Sequence, residues 1–154
     1  MKKDYIIITN NPLVPQMLDE EHEVDYSEIS YEDVLGKVRD RIHEGHLLLS
    51  HPLSGSVKPN ETPYKSVMIS RKAGKLDERS LSIIEGAIRS CAKFEFKSEK
   101  YREFMPETFK DFQLIDWTLL QSAISSADHM NFGTKTNSED CLYLNIWTPA
   151  KTMK

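Results

Sequence analysis

Seven residues with hydrogen-bonding side chains, Ser50, His51, Ser54, Ser56, Lys58, Asn60 and Thr62, crowd around Gly55 in the stretch SHPLSGSVKPNETP, where Pro52, Pro59 and Pro63 stiffen the backbone. Gly55, flanked by Ser54 and Ser56, can turn backbone N–H groups and hydroxyls toward an anion, and Lys58 adds a compact positive charge. A carboxylate or phosphate suits such a loop. The spacing is not that of a Walker loop, and nothing in the chain resembles GxGxxG, so no nucleotide motif and no cofactor is indicated. A surface loop of turn-forming residues is the competing reading.

His51 has three possible roles: general acid or base, orienting group for a ligand, or stabiliser of its own loop. Ser54 is a nucleophile candidate only if the chain folds it back onto the imidazole, and the nearest acid downstream is Glu61. His43 and His46 flank Gly45 but lack a third ligand nearby, so no metal site is expected. Cys91 and Cys141 form neither a CxxC pair nor a Cys/His cluster, which points to a reducing compartment rather than a disulfide framework.

The chain has 154 residues, enough for one domain with a real core. Its 20 basic and 24 acidic residues give a formal charge of −4, which offers no footprint for a nucleic-acid backbone. The opening MKKDYIIITNNP carries an apolar run too short for a signal-peptide core or a membrane span. A cytoplasmic location is the expectation, with no membrane partner.

The elements that must position the loop follow from periodicity. YIIIT at 5–9 is a continuous β-branched and aromatic run, the pattern of a strand covered on both faces. Pro12 suits the first turn of a short helix reaching Leu18. HEVDYS at 22–27 reads as a second strand near an edge. Ser30 caps a helix over 31–44 whose core stripe is Val34, Leu35, Val38 and Ile42, and Gly45 ends it. Residues 47–49 form a third strand and 66–70 a fourth. Asp77 opens a helix to about Phe94, with Cys91 on its apolar stripe as a small buried hydrophobe. Residues 93–102 make a charged connector. Pro106 starts a last helix that presents Phe109, Phe112, Ile115, Leu119, Leu120, Ala123 and Ile124.

The β-α-β-α-β order predicts a three-layer α/β sandwich with a mostly parallel four-stranded sheet flanked by helices. In such sheets ligands bind beyond the carboxyl ends of strands. Thr9, Asn10 and Asn11 leave the first strand and the 50–63 loop leaves the third, so both are expected on one rim. The candidate ligand-binding set is therefore Thr9, Asn10, Asn11, Ser50, His51, Ser54, Gly55, Ser56, Lys58, Asn60 and Thr62.

Five segments, ITNNPLV, DVLGKVRDRIHEGH, HPLSGSVKPNETPYKSV, LDERSLSIIEGAI and DFQLIDWTLLQSAI, resemble the GrdX family over residues 4–126. That family accompanies the selenoprotein glycine, sarcosine and betaine reductase systems of amino-acid-fermenting anaerobes. The resemblance implies association with those systems; because the loop suits an anion and no catalytic constellation is visible, a non-catalytic accessory protein is favoured, with a small anionic metabolite or reductase subunits as partners and a homo-oligomer as a further possibility. It brings no catalytic residues to carry over. A small enzyme using His51 as acid or base is the alternative, and a structural assembly factor is a third.

The stretch 127–154 reads as an extension to the 1–126 domain. Its SEDCLYLNIWTP resembles a short structural segment of type-B carboxylesterases. No GxSxG elbow or HGGG-type loop accompanies it, so esterase activity does not follow. Leu142, Leu144 and Ile146 alternate with Tyr143, Asn145 and Trp147, which suits an edge strand if the segment folds.

Overall fold

The computed structural model describes residues 2–53, 62–93 and 106–130. The candidate residues Ser54, Gly55, Ser56, Lys58 and Asn60, the charged connector from Phe94 onward and the carboxylesterase-like tail lie outside them.

Among the described residues four strands and four helices follow one another as β1 (Tyr5–Thr9), α1 (Leu13–Met17), β2 (Glu23–Tyr26), α2 (Tyr31–His43), β3 (His46–Leu48), β4 (Ser66–Ala73), α3 (Glu78–Ala92) and α4 (Pro106–Met130). The sheet order is β2-β1-β4-β3. β1 pairs parallel with β2, but β4 runs antiparallel to both β1 and β3. The sheet is thus mixed rather than mostly parallel. The reason lies in the connections: a parallel return needs a crossover, usually a helix, whereas the proline-rich stretch between β3 and β4 has no helical periodicity. β4 comes back beside β3 and inserts between it and β1. β1, β2 and β3 still point the same way, and their carboxyl ends share an edge with the start of β4.

The period of two in β1 and β4 splits the core. Ile6, Ile8, Val67 and Ile69 pack under Val34, Leu35, Val38 and Ile42 of α2 and Ile84, Ala87 and Cys91 of α3. Tyr5, Ile7 and Met68 face the other way, onto Val14 of α1 and Trp117, Leu120, Ala123 and Ala127 of α4. Helices on both faces make β1 a strand with all five residues buried. Each fully buried isoleucine there contributes on the order of 1.5–3 kcal/mol.

Local chemistry agrees with these boundaries. The Ser30 hydroxyl accepts from Asp33 N–H to cap α2, and Asp77 accepts from Ser80 N–H to cap α3. The Ser80 hydroxyl also accepts from Leu48 N–H at 3.0 Å, so the helix start satisfies a backbone donor of β3. Gly45 adopts φ +110°, which turns the chain from α2 into β3. α4 runs past Ser126 to Met130, with Ala127 buried and Asp128 accepting from the Tyr5 hydroxyl at 3.1 Å. Among the described residues no helix is long and apolar enough to cross a membrane.

Candidate functional site

The rim formed by the ends of β1, β2 and β3 is built on asparagine side chains. The Asn10 amide donates to Ile29 O and Pro63 O, both at 2.8 Å, and its Oδ1 accepts from Lys65 N at 2.9 Å. One buried side chain therefore ties the β2–α2 connection to the lead-in of β4. Asn11 donates to Gln113 O and to Asp116 Oδ2, while its Oδ1 accepts from Leu13 N. Thr9 Oγ1 lies 2.7 Å from Ser66 Oγ and accepts from Asn11 N.

Ser50 and Thr62 are likewise engaged. Ser50 Oγ, just past the end of β3, accepts from Met68 N at 2.9 Å, where a strand would offer a backbone carbonyl. Thr62 Oγ1 accepts from Tyr64 N. The structure thus brings Thr9, Asn10, Asn11, Ser50, His51 and Thr62 to one edge, and gives each a hydrogen bond within the fold.

His51 is half-buried, and its Nδ1 accepts from Leu53 N at 3.1 Å. That bond assigns the ring proton to Nε2 in the neutral form. Burial, and then the Lys65 charge, hold its pKa below the ordinary histidine value. The unfolded chain accordingly binds a proton more readily than the folded one. Stability is expected to fall as pH drops below about 6.5 toward the lower folded pKa, and His51→Gln should remove that part of the slope. Urea unfolding at several pH values between about 7.5 and 5 checks this, and an unchanged slope in the variant would refute it.

Beneath the rim lies a charged interior that the loop motif did not foretell. Asp116, on α4, accepts from Ser66 N at 3.1 Å, from Ser66 Oγ at 2.6 Å and from Asn11 Nδ2 at 3.0 Å. Lys65 is buried beside it, and that burial lowers its pKa while the Asp116 charge opposes the shift. Burial, reinforced by Glu32 and opposed by Lys65, pushes the Cys91 thiol up to about 11. At neutral pH it is a protonated core residue, not a nucleophile. His46, also buried, donates from Nδ1 to Ser70 O at 2.7 Å, and His43 is exposed at the end of α2. Among the described residues no three His, Cys, Asp or Glu side chains gather to hold a metal.

A cleft of about 500 Å³ opens at this edge, lined by Asn10 and Pro12 after β1, by Tyr26, Glu28, Ile29, Ser30 and Asp33 after β2, and by Pro63 and Tyr64 before β4. The β2–α2 segment was missed as a site element. The rule that singled out the loops after β1 and β3 applies equally to it, since it too leaves a carboxyl strand end.

Architecture and cleft define a small three-layer α/β protein with a polar hollow at the carboxyl ends of its parallel strands. The family model described as GrdX-like protein matches residues 6–125, and the chain belongs to that family. No curated protein and no solved structure matches it.

Proposed function

We propose that this protein is a non-catalytic accessory component of a glycine, sarcosine or betaine reductase system, and that it binds a small anionic metabolite or a partner subunit through the 50–63 loop. Family membership supports the association with such systems. The observation that supports the binding role is the cleft where the chain after β1, the β2–α2 connection and the lead-in of β4 converge, on the same sheet edge as the chain after β3. Two features favour binding over catalysis. The His51 lone pair at Nδ1 is occupied by Leu53 N–H, and the only described cysteine is buried with a raised pKa.

Thermal melting with glycine, betaine, acetyl phosphate and nucleotides tests the reading, together with co-purification of the reductase subunits. A ligand at a hundredfold excess over its Kd stabilises by about 2.7 kcal/mol. In a domain of this size that raises Tm by roughly 5–10 °C. Lys58→Ala is expected to abolish the shift and leave the unliganded Tm unchanged, because the proposal gives Lys58 a ligand-binding and not a structural role. Unchanged melting with every compound and no retained subunit would rule the proposal out.

A further inference from the structure

We propose that the cleft between the β1–α1 and β2–α2 connections takes the positively charged nitrogen of a small organic cation, held against Glu28 and Asp33. This deepens the reading of the rim as a metabolite site and rests on it.

Four observations carry the assignment. The cleft, at about 500 Å³, is of a size for a small metabolite. Its walls are tied before any ligand arrives, because the Asn10 amide holds Ile29 O on one side and Pro63 O on the other. The ionisable side chains of opposite preference are absent from the described lining: Glu28 and Asp33 are there, but no lysine, arginine or histidine. Finally, the carboxylates that line the cleft differ from their paired neighbours on β2. Glu23 pairs with Arg71 at 2.9 Å, and Asp25 pairs with Lys37 at 2.7 Å and Arg41 at 3.6 Å. Glu28 and Asp33, which line the cleft, have no ion-pair partner among the described residues.

The start of α2 weighs against a cation, since a helix N-terminus carries roughly half a positive charge. Two full carboxylate charges outweigh it. Tyr26 and Tyr64 add aromatic carbon to the lining, a surface suited to alkyl groups on nitrogen. A ligand that carries both charges reconciles this assignment with the anionic-metabolite reading, its nitrogen in the cleft.

Titration of the full chain, followed by NMR, separates the possibilities. Choline and ethanolamine supply quaternary and primary ammonium groups, 3,3-dimethylbutan-1-ol is the neutral isostere of choline, and sodium acetate supplies an anion alone. Saturable binding of choline or ethanolamine is expected, at least tenfold tighter than any binding of the neutral alcohol. The double variant Glu28→Gln, Asp33→Asn should weaken it at least tenfold. Both positions are exposed, so the variant keeps the fold, and its melting curve verifies that. Equal binding of choline and the alcohol, or undiminished binding by the variant, overturns the inference. Acetate binding without either cation also overturns it while leaving the anionic-metabolite reading intact. Failure of every probe overturns the inference as well, and the anionic-metabolite reading is then decided by the melting and co-purification test.

Discussion

Replacing Asp116 with alanine is expected to cost roughly 3–5 kcal/mol. The carboxylate is only 7 % exposed, and three donors converge on it from two other parts of the fold. Alanine leaves Ser66 N–H without its acceptor, takes one of the two acceptors from the Asn11 amide and removes an opposing charge from buried Lys65. Asparagine at 116 should recover little. Whichever way its amide is turned, an NH2 group meets either Ser66 N–H or Asn11 Nδ2, and neither of those can become an acceptor. Urea unfolding measures both variants. A loss below about 1 kcal/mol for Asp116→Ala would mean that water or a neighbour takes over the three bonds.

Gly45→Ala is the second large effect, with an expected loss of roughly 2–4 kcal/mol. At φ +110° a side chain is strained in any surroundings. Here a Cβ would also overlap the carbonyl oxygen of Gly74, a backbone atom that cannot swing aside. The two glycines are joined by a 3.0 Å bond from Gly74 N to Gly45 O, so relief of the overlap pulls apart the junction of β3 and β4. Gly74→Ala is the control, because a Cβ there meets nothing within 4 Å. Its Tm should change far less than that of Gly45→Ala. Equal losses would show that the close approach is not the cause.

What was legible in the sequence was whatever depends on near neighbours. The YIIIT run, the Ser30 and Asp77 caps, the Val34–Ile42 stripe and the terminating Gly45 each rest on residues within a few positions, and each stands in the structure. The direction of β4 depends on what the preceding connection does in space. The lack of helical periodicity in the sequence between Leu49 and Ser66 was the available sign that the strand would return antiparallel.

The rim shows the same division. That the chain after β1 and the chain after β3 meet at one edge follows from their common direction, which the order of elements contained. That Asn10 is consumed by Ile29, Pro63 and Lys65 does not, because those partners are 19, 53 and 55 residues away. Asp116 was closer to detection. It lies four residues after Phe112 and four before Leu120, so a carboxylate sits on the apolar stripe of α4, where it must find donors. The donors themselves, on β4 and after β1, only the tertiary structure reveals.

Since β4 follows β3 in the chain yet lies between β3 and β1, a central strand of the sheet is the last of the described strands to leave the ribosome. A nascent chain that stops short of Ser66 holds two separated strips, the β1–β2 pair on one side and β3 on the other, with the inner margins of both unzipped. Insertion of the final strand is then the event that unites the halves and, through Ser66 and Lys65, assembles the polar interior beneath the rim. Fragments ending before residue 66 should therefore be captured by chaperones or pair with one another, whereas those that extend through α4 can close.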